Sequence, residues 1–405
     1  MISFTDARRI IQESATREMS IETVPLVLAA GRVLAHSIVA RESVPPSANS
    51  AMDGYAVVAA DTSGATVETP VLLSVIDEAS AGSVATRTLG PRQAIRIMTG
   101  GLIPEGADAV VEVESTSEAD GVVAIARTVR PGEAVREPGD DMRAGETVID
   151  EGKRLTPGDI GVLATLGIVN VPVRIQPKVG ILATGNEIVE PWRQPAPGQL
   201  RNSSAAALYA FCAQAGAEPI DLGIARDDRD ELAEKLEGGL RFDVLLTTGG
   251  VSAGLYDYVQ HLLPAAGVDV RFHTVNIKPG KPVLFGVHAE GPDETLVFGL
   301  PGNPVSTLVT FHQFVRPAIC ALMRQTTEPL RIAAALETPL RKSDDKRHFV
   351  RGVLRRDVDG ALKVASTGSQ SSGAMSSMSR ANCLIVLAEN ERSKDAGEMV
   401  EVEML

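Results

Sequence analysis

Residues 244–258 read VLLTTGGVSAGLYDY. Val244, Leu245 and Leu246 have the apolar character of a strand, and the strand stops on two adjacent glycines, Gly249 and Gly250. A tight turn needs only one. Two glycines followed by the Ser252 hydroxyl and the Asp257 carboxylate suit an oxyanion or phosphate held by backbone N–H groups, given something cationic nearby. A plain strand-to-helix turn is the other reading. The rest of the chain has to decide.

Two more strands end in the same way, KVGILATG into Thr184-Gly185-Asn186-Glu187 and TLVFGLPG into Leu300-Pro301-Gly302-Asn303. With EPIDLG and VRFHTV they make a series of apolar strands across residues 175–325. Helical stretches lie between them. Asn202 or Ser203 opens one that Gly216 closes; Asp228 and Glu231 have capping-box spacing ahead of Gly238-Gly239; Asn303 and Pro304 stand at N-cap and N1 of another. Such alternation predicts a parallel sheet with helices on both faces and a ligand outside the strands' carboxyl ends. Neither GxGxxG nor GxxxxGK[ST] is present, so an ordinary dinucleotide or P-loop site is poorly supported.

Outward from this region the pattern changes. Phe4, Ala7, Ile10 and Ile11 have helical spacing over 4–13, with Ser3 or Thr5 as N-cap, and a second helix is expected from Val24 to Leu34, opened by Pro25. Residues 45–140 hold short strand-like runs such as VLLSVI, QAIRIMTG, DAVVEVE and VVAIAR, punctuated by Gly and Pro. Helical character returns around Ile160–Leu166, and 326–405 is β-patterned again, with RGVLRR, ALKVAST, CLIVLAE and MVEVEML. The expected division is 1–44 with 142–174 as a helical and extended linker domain, 45–141 as a β-rich insert, 175–325 as the α/β domain and 326–405 as a C-terminal β domain.

The 405 residues exceed what one ordinary core holds. Aromatics at 3% leave nucleic-acid binding by base stacking unsupported, and a net charge of −13 argues against a polyanion-binding surface. It does not exclude a small anion, because a local lysine pair can dominate one pocket. Cys212, Cys320 and Cys383 lie far apart beside apolar residues and read as buried free thiols. The charged, periodic N-terminus is unlike a signal peptide and no apolar run approaches ~18 residues, so a cytoplasmic protein without membrane contact is expected.

The most chemically pointed stretch is Ile277-Lys278-Pro279-Gly280-Lys281-Pro282, two lysines around a Pro-Gly turn. Beside glycine turns they suit phosphate, molybdate or sulfate; solvated turn lysines are the plainer reading. Glu187, Asp227, Asp228 and Asp257 supply carboxylates at the same strand ends, the donors Mg²⁺ takes together with substrate phosphate, although helix capping fits Asp228. Asp53 in NSAMDGYA and Thr99 in MTGG are oddly placed for strands, and turn roles would also explain them. The six histidines show no HxxxH or HxH spacing, so a protein-held transition metal is not expected. No Ser-His-Asp arrangement suggests itself.

Taken together, NSAMDGYAV (49–57), RIMTGGLIPEGADAVV (96–111), GDD (139–141), LATGNE (182–187), RDD (226–228), TTGGVSAGLYDY (247–258), KPGKP (278–282) and GLPGNPVS (299–306) resemble the molybdopterin molybdenumtransferase family, the MoeA type related to the E domain of gephyrin. The motifs come in one order over nearly the whole chain. The resemblance implies a Rossmann-like pterin-binding α/β domain, a β-rich N-terminal insert and a C-terminal β-barrel-like domain in an elongated subunit. It also implies a homodimer whose cleft the partner subunit completes. The implied reaction inserts molybdate into adenylated molybdopterin, with Mg²⁺-dependent hydrolysis and release of AMP. Implied partners are the protein that adenylates molybdopterin and acceptors or chaperones on the molybdoenzyme side.

Position by position, the resemblance implies that Asp53, Thr99, Asp141, Glu187, Asp227 and Asp257 serve catalysis, with Asp227 and Asp257 toward Mg²⁺. It implies that Gly249, Gly250, Ser252, Lys278, Lys281, Pro301, Asn303, Arg351 and Ser372 bind substrate or molybdate. The chain departs from the family at Ala48, at Thr274 and in Gly368–Ser372, where a histidine is usual; loss of a cation at 274 raises weaker anion binding or tungstate as alternatives. Two other functions compete. A scaffold would bring a long linker and an appended pterin-binding domain, neither of which is seen in the sequence. A pyrophosphatase or amidase sharing only the α/β domain would not need the matches at Asp53, Thr99 and Asp141.

Overall fold

In the computed structural model of the chain, residues 1–80, 82–251, 258–290, 293–325 and 329–405 are described. The chain forms two compact units. One comprises residues 1–36, 152–160 and 169–405, and the other residues 37–151 with 161–168.

The first unit is built on a six-stranded sheet. Its strands are β1 (Lys178–Thr184), β2 (Glu218–Ala225), β3 (Val244–Thr248), β4 (Val268–Thr274), β5 (Pro282–Glu290) and β6 (Asp293–Leu300). Their order is β2-β1-β3-β6-β5-β4. All residues of β3 are buried because helices cover both faces, and the strand period of two sorts its side chains between them. Val244 and Leu246 join the core under the helix Ser203–Ala215, with Leu208 and Cys212. Leu245 joins the opposite core, with Leu232, Leu236 and Leu263. Leu245→Ala would cost about 2–5 kcal/mol.

The first four strands in that order are parallel, as predicted, but β5 pairs antiparallel with both β6 and β4. The sheet is therefore mixed. PVLFGVHAE, which carries β5, is not among the strands expected from the sequence. The predicted caps are present: the Ser3 side chain accepts from Asp6 N–H, Asn202 from Ala205 N–H, and Asp228 from Asp230 and Glu231 N–H. Gly216 ends its helix with a left-handed φ of 93°. Gly238 and Gly239, by contrast, lie inside the helix Arg229–Gly239. A Cβ on Gly239 would come 2.6 Å from Leu245 Cδ1, so this glycine permits close packing on the sheet.

The expected helix over Val24–Leu34 is not formed. Ile21–Pro25 is a strand paired antiparallel with Asn170–Arg174, followed by a single 3₁₀ turn at Leu26–Leu28. Long-range pairing overrides the local spacing, and Pro25 is tolerated at the strand end. The helix Pro157–Thr165 forms as expected.

Five strands, Arg331–Leu336, Arg347–Arg356, Leu362–Ser366, Cys383–Leu387 and Met399–Met404, close into a barrel, because Arg347–Arg356 pairs with both Leu362–Ser366 and Cys383–Leu387. Ile277–Lys278 adds to this barrel in parallel, Ile277 opposite Arg347 and Lys278 opposite His348. The N-terminal helix Phe4–Ser14 seals the junction. Its Phe4 ring lies 5.7 Å from Phe314 and 5.3 Å from Phe349. All three cysteines are buried thiols outside any disulfide, and burial pushes the Cys212 thiol up to about 12.

The second unit holds its own six-stranded sheet, in the order Ala109–Glu112, Gly54–Val57, Gln93–Ile97, Val71–Ala79, Val122–Ile125 and Thr116–Ala119. Its core includes Tyr55, Val57, Leu73, Val111, Val123 and Ile125. Among the described residues no helix is long and apolar enough to cross a membrane.

Candidate functional site

β1, β3 and β6 end side by side, Ala183 opposite Thr248 and Thr248 opposite Leu300. The two glycines after β3 have left-handed φ values, 90° at Gly249 and 69° at Gly250. A Cβ on Gly249 would lie 2.8 Å from Thr184 Oγ1 and 3.0 Å from Thr184 O, so the turn requires glycine at that point. The Gly249 N–H donates to Leu300 O at 3.1 Å. Gly249 therefore closes the turn against β6, rather than offering its amide to an anion. Ser252 and Asp257 lie outside the described residues.

These strand ends open into a cavity of about 670 Å³. Thr184, Gly185, Glu187 and Asp227 line one side; Gly249–Val251 and Pro301–Pro304 line another; Asn202–Ser204, Gly373 and Met375 complete it. Asn303 is the N-cap of the helix Pro304–Thr310, yet its side chain makes no capping hydrogen bond and remains available to a ligand. A cavity of about 420 Å³ lies under the N-terminal helix, but its lining has neither a carboxylate nor a glycine turn, so the strand-end cavity is the better candidate.

Two acids enter the cavity on loops that hold each other. The Asn186 N–H donates to Asp227 Oδ2 and the Asp227 N–H donates to Asn186 Oδ1, each at 3.2 Å. Glu187 folds back over Gly185, where a Cβ would come 2.6 Å from its Oε2. Asp228 is used as a helix cap, its Oδ1 accepting from Asp230 and Glu231 N–H at 3.1 and 2.9 Å. Among the described residues there is no cluster of three His, Cys, Asp or Glu able to enclose a metal. Two hard carboxylates facing a cavity nevertheless fit Mg²⁺, which takes one or two carboxylates and completes its shell with phosphate and water oxygens.

Lys278, Lys281 and Arg351 do not line this cavity, whose one lining cation among the described residues is Arg201. The Lys278–Pro279 peptide is cis, and Gly280 turns the chain with φ 101° where a Cβ would strike Thr310 Cγ2 at 2.4 Å. Lys278 is opposite His348 in the barrel pairing, and Lys281 follows the turn, exposed. Arg351 is of another kind, only 1% exposed. Its Nε donates to Ser377 Oγ at 3.1 Å, and its Nη2 to Ser371 O at 3.0 Å and Ser369 O at 3.3 Å. The Gln370 side chain accepts from Arg351 N–H at 3.0 Å, fixing the Gly368–Ser372 loop. Burial pushes the guanidinium down to about 10. Ser372, on the same loop, accepts from Val305 N–H at 3.0 Å through its carbonyl, which ties the loop to the helix bordering the cavity.

In the other unit, Asp53 and Thr99 form a pair. Asp53 Oδ1 accepts from Thr99 N–H at 2.7 Å and Thr99 Oγ1 at 2.8 Å, and these bonds, the amide first, hold the carboxyl below the usual range. Asp141 stands on a separate turn of that unit, with its N–H donating to Val44 O at 3.0 Å. Sequence reading missed Asp344, which lies 3.8 Å from Lys278 Nζ. Its neighbours in SDDKRH carry the pattern of an ordinary polar turn.

Comparison with known proteins defines the class. Residues 2–167 match the family described as MoeA N-terminal region (domain I and II), 180–321 the probable molybdopterin binding domain, and 333–405 the MoeA C-terminal region (domain IV). The chain is 38% identical to the molybdopterin molybdenumtransferase of Bacillus subtilis over 377 residues, covering 92% of this chain and 86% of that one. It is 38% identical to molybdopterin molybdenumtransferase 2 of Mycobacterium tuberculosis over 410 residues, covering 99% of each. The crystal structure of the molybdopterin biosynthesis moeA protein from Pyrococcus horikoshii superposes with a TM-score of 0.85 at 30% identity, covering all of both chains. The chain belongs to the molybdopterin molybdenumtransferase family.

Proposed function

We propose that this protein acts in molybdenum cofactor biosynthesis, inserting molybdate into adenylated molybdopterin with hydrolysis of the phosphoanhydride and release of AMP. The observation that carries the reading is Arg351. Its guanidinium is 1% exposed and has only neutral oxygens as partners; among the described residues no carboxylate pairs with it. A buried charge without a counter-ion costs several kcal/mol, and a small oxyanion beside the guanidinium would offset it. Molybdate is a tetrahedral dianion suited to that place, with Lys278, Lys281 and the Ser372 and Ser252 hydroxyls as further ligands.

The crevice at the strand ends takes the pterin and its diphosphate, shaped by Gly249, Gly250, Pro301 and Asn303. Glu187 and Asp227 would hold Mg²⁺, with Asp257 the third acid assigned there. When bound, Mg²⁺ supplies neutralisation of charge on the phosphoanhydride. Asn186 keeps Asp227 aimed into the cavity, and Thr99 keeps Asp53 oriented. Asp53, Thr99 and Asp141 are further residues assigned to catalysis. The working form in this reading is a cytoplasmic homodimer, supplied by the adenylating protein and emptied by acceptors or chaperones on the molybdoenzyme side.

The test incubates purified protein with adenylated molybdopterin, molybdate and Mg²⁺ and measures AMP and cofactor formation. Molybdate-dependent release of AMP is the expected result. Saturating substrate without any molybdate-dependent turnover would refute the reading.

A further inference from the structure

We propose that Asp344 is a built-in counter-ion that competes with the bound oxyanion for the Lys278 ammonium, and so sets how tightly that anion is held. The inference rests on the reading of Lys278 as an anion ligand given above.

The turn that carries Asp344 is fixed from beneath. Lys342 is 8% exposed, and its ammonium donates to the carbonyls of Lys346 at 2.7 Å, of Glu389 at 3.0 Å and of Ala388. Three carbonyl acceptors saturate an ammonium, so this lysine is a clamp on the turn and not a ligand. Asn276 ties the same turn to the lysine loop. Its Nδ2 donates to Asp345 O at 2.8 Å, and its carbonyl accepts from Arg347 N–H at 3.0 Å. The next two residues, Ile277 and Lys278, pair with Arg347 and His348. Asp344 and Lys278 thus project from two backbones bonded to each other, and their approach does not depend on two mobile side chains meeting by chance.

Asp344 has partners of its own. Its Oδ1 lies 2.7 Å from His348 Nε2 and accepts from Lys346 N–H at 3.2 Å. That leaves Oδ2 facing two ammonium groups, Lys278 Nζ at 3.8 Å and Lys346 Nζ at 4.0 Å. These are ion-pair distances, too long for hydrogen bonds. The Lys278 side chain is 56% exposed and that of Asp344 is 28% exposed. A loose pair in that setting is weak, so an arriving oxyanion can draw the ammonium away. The carboxylate stays in place because His348 and the Lys346 amide hold it, and it then repels the anion that has replaced it. Lys281, on the far side of the same turn, forms no ion pair among the described residues. The two lysines are therefore unequal: Lys281 is open to an anion, whereas Lys278 reaches one only against Asp344.

Calorimetric titration of the full chain with sodium molybdate alone reads this directly, beside the KM for molybdate in AMP release. Asp344→Asn removes the charge while keeping an oxygen for His348 and Lys346. It should tighten molybdate binding by about 3–10-fold, lower KM in parallel and leave kcat near the parent value. A merely structural aspartate gives the opposite or nothing, since loosening the turn weakens binding. Asp344→Ser deletes the charge by another route and should shift affinity in the same direction if the asparagine disturbs the turn. In a Lys278→Ala background either substitution should lose its effect. Unchanged or weaker binding in both folded Asp344 variants overturns the proposal and leaves the anion role of Lys278 standing if Lys278→Ala weakens binding. Unaltered molybdate binding in Lys278→Ala overturns the reading of the site itself, and this proposal with it.

Discussion

Arg351 and Lys278 belong to the same unit and carry the same charge, but the structure treats them in opposite ways. Arg351 is buried among serine oxygens and has no counter-ion among the described residues, whereas Lys278 is more than half exposed and has Asp344 beside it. Burial without compensation makes an anion most stabilising at Arg351, because water cannot take its place. Exposure with compensation makes Lys278 a weaker ligand, and one whose strength is adjustable. Anion affinity in this reading is concentrated at the barrel loop and tuned at the lysine turn.

The largest expected effect tests the buried half of that contrast. Arg351→Ala should lower molybdate-dependent turnover by about 10²–10³-fold, the usual cost of removing a preorganised donor to an anion. Arg351→Lys should recover little, because a lysine cannot span Ser369, Ser371 and Ser377 together. Turnover within threefold of the parent in Arg351→Ala would break the comparison.

The same contrast appears in two histidines. His348 has Asp344 at 2.7 Å, whereas His312 is 6% exposed and its Nε2 has no partner among the described residues. Burial, followed by the charges of Arg316 and Arg8, pushes His312 down to about 4. Its folded pKa lies below the unfolded value, so the unfolded chain binds the proton first as pH falls. Stability is full above about pH 6.5 and is lost on acidification toward pH 4, by roughly 3 kcal/mol for this group. Denaturant unfolding across that window should show the slope, and His312→Phe should flatten it. An equal slope in the variant would mean that the carboxylates alone carry the acid sensitivity.

At the crevice, Gly249→Ala should destabilise the protein by about 1–3 kcal/mol, because φ 90° and the Thr184 contacts both exclude a side chain. Thermal unfolding checks this. A smaller effect separates the two cations by salt. Raising ionic strength from about 0.05 to 0.5 M should weaken molybdate binding several-fold in the parent and less in Lys278→Ala, since exposed charges are screened and buried ones are not. Equal salt dependence would mean that Lys278 is not the exposed contributor. The smallest change is expected in the inserted unit, where Thr99→Val keeps the amide bond to Asp53 and removes only the hydroxyl. A loss of about threefold in turnover is expected, in line with one solvent-exposed hydrogen bond of modest worth.

Much of the site could be read along the chain because its devices are local. A glycine pair after an apolar strand, Asn202 and Asp228 at helix starts, and Pro304 after Asn303 each depend on neighbours within a few residues. What could not be read depends on contacts distant in sequence. Val24 to Leu34 reads as a helix, yet Ile21–Pro25 is a strand because Asn170–Arg174 lies alongside, and only a 3₁₀ turn follows it. The antiparallel β5 is set by pairing with β4 and β6. Asp344 carries no signal of its own, since its meaning lies in Lys278, brought close by a parallel pairing between the α/β sheet's lysine loop and the barrel.

The sequence by itself determined the family, the alternating α/β region, the positions of the glycine turns and the choice of acids and lysines as candidates. It could do so because backbone conformation, capping and side-chain chemistry are properties of short stretches. Only the tertiary structure decided that Gly249 uses its amide to close the turn, that Arg351 is buried without a counter-ion, and that Lys278 has one. Burial and charge pairing are properties of the space around a residue, and that space is filled by segments from the whole length of the chain.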